Sequence, residues 1–198
     1  MDMIRAKNGV GAIELDSKPY IDWQKATNKN ELMVEVFKDE IFFEELSAHW
    51  NNLKQRTDSL MSMPYEWAYN WWKHYRKNKK RTLFLITVWD GTRLVAIAPL
   101  YKDFFNFGEL KPEPCLRIIG SRGGYSSDVD YLDGYNIIDF LDFLVDASYK
   151  ELVTDKFSDV FTPDFLKLAV LDFNQVNKGS YLKRHLYPIL EENHFLIK

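Results

Sequence analysis

Residues 89–101 read WDGTRLVAIAPLY, and the way this stretch folds decides the architecture of the chain. Asp90-Gly91 is a strong hairpin signal, because a two-residue turn needs positive φ, which glycine adopts freely. The residues before it, TLFLITVW (82–89), are β-branched and aromatic and suit a pleated, half-buried strand. Leu94–Ala98 returns as the partner strand. Pro99 has no backbone N–H, so the strand is expected to end there.

The flanking sequence extends this hairpin into a sheet. Asn106-Phe107-Gly108 resembles a second turn, and Cys115–Ile119 (CLRII) a further strand that ends at Gly120. Upstream, Leu32–Phe37 (LMVEVF) is expected as the first strand. Asp39 suits the cap of a helix over EIFFEELSAHWNNLKQ, in which Ile41, Phe42, Leu46, Trp50 and Leu53 follow the 3.6-residue period. A second helix starts at Ser62 or Met63, with Pro64 near its first turn. Trp67, Trp71, Trp72 and Tyr75 form its apolar face, expected as core or as the wall of an acceptor groove. Arg76, Lys77, Lys79, Lys80 and Arg81 crowd its C-terminal end. They suit the helix dipole and a solvated surface, with phosphate binding as the second reading.

Downstream, IIDFLDFLVDASYKEL places Ile137, Phe140, Leu141, Leu144 and Val145 at helical spacing. Phe165–Phe173 (FLKLAVLDF) is expected as a strand. Ser180 caps a last helix, YLKRHLYPILEENH, with Leu182, Leu186, Ile189 and Leu190 as its stripe and a kink at Pro188. Phe195-Leu196-Ile197 looks like the start of one more strand, so the fold is expected to be incomplete at that end. The order β-α-α-β-β-β-α-β-α-(β) predicts an α/β (α+β) chain: a mixed, mostly antiparallel sheet flanked by helices. An irregular leader covers 1–30, and one domain covers 31–198.

The chain has 198 residues, 46% of them hydrophobic, enough for one sizeable core. A formal net charge of -3 gives no general attraction to nucleic acid or anionic lipid. A single cysteine, Cys115, excludes an intrachain disulfide and suits a reducing, cytoplasmic setting. In a strand with no base nearby in sequence, it is expected to be an inert buried thiol. The first residues lack the apolar core of a signal peptide, and no apolar run approaches the roughly 18 residues that span a bilayer. The histidines, His49, His74, His185 and His194, show no zinc-ligand spacing.

The richest loop is GSRGGYSSDVDYLDG (120–134). Its glycines allow close backbone approach to a ligand, and functional residues favour such loops. Asp128 or Asp130 could serve as general base or hold a substrate amine or hydroxyl. Arg122, Tyr125, Tyr131 and Asp133 would line the same site. Alternatively, the aspartates cap turns and the next helix. Their spacing lacks the glycine and the terminal glutamate of a calcium loop, so no metal is expected.

An ordered set of pieces carries a family resemblance: Trp50-Asn51-Asn52-Leu53, Pro64-Tyr65-Glu66-Trp67 with Trp71-Trp72, and Asp90-Gly91. Leu94-Val95-Ala96-Ile97-Ala98-Pro99-Leu100 follows, then Ser127-Asp128 and Asp130-Tyr131-Leu132-Asp133. In these, residues 32–198 resemble the GNAT superfamily, and more closely its CelD-like, cellulose-biosynthesis-associated branch, related to Fem-type aminoacyltransferases. Proteins of that branch resemble two such units in tandem, and this chain resembles the first.

The resemblance implies transfer of an acyl group from acetyl-CoA or another acyl-CoA to an amine or hydroxyl of a small-molecule or sugar acceptor. A carboxylate or a water-mediated base would deprotonate the acceptor. As partner it implies a second GNAT-like unit, or a homo-oligomer. The family's pyrophosphate turn, Gln/Arg-x-x-Gly-x-Gly/Ala, is met only in part by Arg117-Ile118-Ile119-Gly120-Ser121-Arg122, which has Arg122 at the last position and no helix directly after it. The cofactor-binding residues are therefore left unassigned. The other reading of the chain is a non-catalytic structural or acceptor-binding half that needs a C-terminal partner.

Overall fold

The computed structural model describes residues 32–58, 63–76, 81–105, 113–121, 141–167, 170–173 and 176–197. Among them, seven strands form one sheet in the order β1-β2-β3-β4-β6-β7, with β5 on β3. The strands are β1 (Met33–Phe37), β2 (Thr82–Asp90), β3 (Arg93–Phe105), β4 (Glu113–Ile118), β5 (Leu144–Val145), β6 (Val170–Asp172) and β7 (Leu196–Ile197). The pairs β1/β2, β2/β3, β3/β4 and β3/β5 are antiparallel. The pairs β4/β6 and β6/β7 are parallel. The mixed, mostly antiparallel sheet of the sequence reading is therefore present.

The hairpin forms, but its turn lies one residue further on than expected: Asp90 pairs with Arg93, and Gly91, at φ 58, and Thr92 make the turn. Pro99, however, does not end the strand. β3 runs through it, and Pro99 pairs with Leu85. Along a strand, the N–H and C=O of one residue point to the same side. The Pro99 carbonyl accepts from Ile119 N at 2.7 Å, on the side away from β2. Its nitrogen therefore also faces away from β2, and no rung of the β2/β3 ladder is lost.

Helices cover both faces. α1 (Glu40–Glu45) and α2 (Ser47–Lys54) replace the single long helix of the sequence reading, with a break at Leu46. The break lets Phe42, Phe43, Leu46, Trp50 and Leu53 all reach the core, while Ile41 is 45% exposed rather than part of the stripe. Asp39 caps α1 as expected, accepting from Ile41 N at 3.0 Å. α3 (Tyr65–Tyr75) follows Pro64. Trp71 and Trp72 lie against Tyr101, with centroids 5.3 and 6.3 Å away, which places α3 on the Tyr101 face of the sheet. Val145 pairs with Ala96, and Ala96 alternates away from Tyr101, so Val145 and Phe143 look to the opposite face. There Phe157 and Phe161 of α4 (Lys150–Val160) pack on Phe143.

Of the helix expected over residues 137–152, the described residues 141–149 form none of it, and only its last three residues are helical, as the start of α4. Leu141 makes an isolated bridge, Leu144–Val145 is a strand, and Ala147–Tyr149 is a single 3-10 turn. Phe143, Leu144 and Val145 are all buried, on alternating faces, so the apolar run is a two-sided strand. The Asp146 carboxylate accepts from Ser148 N at 3.1 Å and delays the helix until Lys150. Likewise, the strand expected over 165–173 begins as α5 (Pro163–Leu166), capped by Thr162, and among the described residues Val170–Asp172 is the part that is a strand.

The final helix is present, with Ser180 Oγ accepting from Lys183 N at 3.0 Å. It opens as a π-helical stretch over Leu182–Leu186 and tightens into α6 (Tyr187–Glu192). The Tyr187 N–H reaches back to Leu182 O, which absorbs the missing N–H of Pro188 just after it. β7 forms at the expected place and lies at one end of the described sheet.

Candidate functional site

β4 and β5 run along the same edge of β3, one after the other. Leu100–Phe105 pair with Ile118–Glu113, and Ala96 and Ile97 pair with Val145 and Leu144. β6 lies parallel to β4, and Val176 beyond it bridges Leu141 in the same sense. Among the described residues, this edge of β3 is therefore unpaired between Ile97 and Leu100, a gap between the end of β4 and the start of β5. Pro99 stands opposite this gap, where no partner needs its missing N–H.

The turn at the gap is tightly built. Gly120 has φ +103, a conformation that favours glycine. A Cβ placed there would come within 2.8 Å of Trp67 Cη2 and 2.9 Å of Leu141 Cδ2. Ser121 N and Oγ both donate to Ile118 O, at 2.9 and 2.7 Å. The Tyr101 hydroxyl donates to Ser121 O at 3.1 Å. Burial pushes that phenol up to about 12, against the opposing influence of Arg81 and Arg117, so it stays a neutral donor.

Beside the turn lies a chain of charges across four strand lines, on the face that carries Tyr101. Arg117 Nε donates to Asp172 at 2.7 Å, and its Nη1 to Asp103 at 2.6 Å. Arg81 Nε also reaches Asp103, at 3.1 Å, and its Nη1 caps Tyr75 O at 3.0 Å. Two cations and two anions are thus neutralised within the fold. Cys115 alternates onto the same face and is buried. Burial first, with Asp172 and Asp103 adding to it, pushes its thiol up to about 12 and outweighs Arg117. That is the inert thiol of the sequence reading.

Of the sequence-derived candidates, Trp67 and Trp71 are described. Both are half-buried against the core, Trp67 over Gly120 and Trp71 between Tyr75 and Tyr101. Trp72 is the fully buried member of the face. Arg122, Tyr125, Asp128, Asp130, Tyr131 and Asp133 lie outside the described residues, in the segment that connects Ser121 to Leu141. So do Asn106-Phe107-Gly108 and Lys77–Lys80. Sequence reading passed over Asp103, Asp172 and Tyr101. The available signal was a lone charge inside each of two apolar strands, Arg117 in CLRII and Asp172 in AVLDF, which pairing makes tolerable; Asp103 sits beside Lys102 in YKDFF and gave no such signal.

The partial pyrophosphate turn does not fit an acyl-CoA. Arg117 is 3% exposed and spent on two aspartates. The amides of Ile119 and Ser121 are spent on Pro99 and Ile118. The open side of Gly120 is filled by Trp67 and Leu141. Among the described residues, Arg117 and the amides of Ile119 and Ser121 are thus already engaged within the fold. Among the described residues, no His, Cys, Asp or Glu group is placed to hold a metal ion, and no helix is long and apolar enough to cross a membrane. No family model, curated protein or solved structure matches this chain.

Proposed function

We propose that the chain is the acceptor-binding half of an acyltransferase, of the GNAT and CelD-like type that its sequence resembles. In this reading an acyl group passes from a CoA thioester to an amine or hydroxyl of a small molecule or sugar. The supporting observation is the gap in the β4–β5 line, at the carboxyl ends of the parallel strands β4 and β6. Open α/β sheets bind ligands at such ends. The segment with Asp128 and Asp130 departs there, directly after Ser121, and Trp67 stands over the departure point. Asp128 or Asp130 takes the acceptor proton, and Arg122, Tyr125, Tyr131 and Asp133 hold the acceptor against Trp67 and Trp71.

The neutralised Arg117 and the spent amides of the turn favour a half-site over a complete enzyme. The CoA thioester is then presented by a second GNAT-like unit or a second copy of the chain. The single cysteine is in keeping with a cytoplasmic setting for such a protein. The test is calorimetry on the purified chain with acetyl-CoA, alongside a thermal-shift panel of amine and hydroxyl acceptors. The expected result is no heat with acetyl-CoA and an upward shift with one acceptor class, abolished in D128N/D130N. A panel without any shift, or a shift that survives D128N/D130N, overturns the reading.

A further inference from the structure

A second feature, independent of the acyltransferase reading, lies where the end of α2, the start of α4 and the start of the final helix meet. A cleft of about 100 Å³ opens there between Asp58, Asp142, Lys150, Tyr181, Arg184 and His185. A single water needs roughly 10–15 Å³ by the same measure, so the cleft takes a group of several heavy atoms.

Most of the charge around it is already satisfied. Lys150 is ion-paired with Asp58. The Asp142 carboxylate accepts from Tyr181 N at 2.8 Å, Leu182 N at 2.9 Å and Phe143 N at 2.9 Å. The Tyr181 hydroxyl shares a hydrogen bond of 2.7 Å with Thr154 Oγ1. What stays unspent is cationic or a donor. The Arg184 guanidinium has no hydrogen bond or ion pair to any described residue. Yet it does not simply trail into solvent: a Cβ on Gly179 would lie 3.6 Å from its Nη2. Gly179 itself is tied to Asn177 Oδ1 through its N–H at 2.7 Å. The His185 ring is stacked flat on Tyr181, with centroids 5.2 Å apart and 22° between planes, and so is held at the wall.

We propose that this cleft binds a small oxyanion, a phosphate or carboxylate group, between the Arg184 guanidinium and the His185 ring, with the Lys150 ammonium as third donor. Arginine supplies a planar fork matched to such oxygens, and lysine a point charge. Asp58 is the anion's internal competitor for Lys150.

The test is an NMR titration of the isotope-labelled full chain with inorganic phosphate and, separately, with acetate, at low chloride. The expected result is saturable shifts centred on Gly179, Arg184, His185 and Lys150 with at least one of the two anions. R184Q weakens that binding by roughly tenfold, the loss of one charge-assisted bidentate contact. K183Q, one residue away, leaves it unchanged. Both side chains are exposed, so neither replacement threatens the fold, and far-UV circular dichroism checks this. The proposal is overturned if neither anion saturates, if the shifts spread evenly over the surface lysines and arginines, or if R184Q binds like the parent chain.

Discussion

Trp67 rests its ring edge directly on Gly120, leaving no room for a β-carbon between them. The contact ties the first turn of α3 to the turn that follows β4. Gly120→Ala meets two costs: a left-handed φ that alanine tolerates poorly, and overlap with Trp67 and Leu141. We expect a loss of about 3 kcal/mol in urea unfolding. Trp67→Ala removes one clash partner. In the double variant, Gly120→Ala should therefore cost about 1 kcal/mol less than it does alone. Additive losses would show that backbone strain alone accounts for Gly120.

The buried charges make a different kind of prediction. Asp172→Asn leaves Arg117, among the described residues, with Asp103 as its one charged partner, while Asp103 is already shared with Arg81. Removing one partner of a buried pair costs about 3 kcal/mol or more. R117L/D172L removes both partners and leaves Arg81 with Asp103, a balanced pair. The double variant should be more stable than Asp172→Asn alone, measured by the same unfolding. The reverse order would mean that the pair itself, and not its neutrality, holds β4 to β6.

How far the sequence disclosed this arrangement depends on which physics each element obeys. β2 and its turn obey local rules, strand propensity and turn chemistry, and they fall within one residue of where residues 82–91 place them, with Gly91-Thr92 rather than Asp90-Gly91 as the turn. Pro99 obeys a non-local rule. Its cost is set by which side of the strand is paired, and that follows from β4 and β5 converging on β3 from distant segments. Leu141–Val145 shows the same limit. A buried apolar run fits a helix period and a two-sided strand equally well, and the empty edge of β3 decides. Of the site, Trp67 was visible as part of a helical face. Its contact with Gly120 was not, because nothing in the chain around either residue encodes the other. Of the Arg81–Asp103–Arg117–Asp172 series, only Arg117 and Asp172 stood out, as isolated charges in apolar strands, and their pairing needed the register.

Cys115 offers a chemical check on the same region. Its thiol is buried and pushed up to about 12, so at pH 8 almost none is thiolate in the native state. A thiol reagent such as Ellman's should react with the native chain only at the rate of unfolding, and within seconds in 6 M guanidinium. Fast reaction without denaturant would mean that β4 opens locally.

The last prediction concerns acid stability and the hairpin end of β3. Asp146 is buried, and burial alone would raise its carboxyl. Hydrogen bonds from Ser148, Arg56 and Arg93 outweigh that and bring it down to about 2. Arg56 Nε and Arg93 Nη2 each donate to its Oδ2 at 2.7 Å, and Arg56 Nη2 donates to Leu94 O at 2.7 Å. The cluster thereby ties the end of α2, the hairpin and the strand-to-helix junction at Asp146. An unfolded aspartate titrates near 3.9. The native state therefore binds the proton less readily, and the stabilisation is fully present above about pH 4 and lost as pH falls toward 2. Because Arg93 is half exposed, screening holds this contribution to roughly 1–2 kcal/mol. Asp142 works with the opposite sign. Burial raises its carboxyl despite three backbone donors, so its protonated form is favoured by folding and its contribution fades as pH rises. Urea midpoints between pH 2 and 5 should thus fall more steeply toward acid in the parent chain than in D146N, and the two curves should converge near pH 2. Parallel curves across that range would show that the Arg56–Asp146–Arg93 cluster does not contribute to folding through its charge.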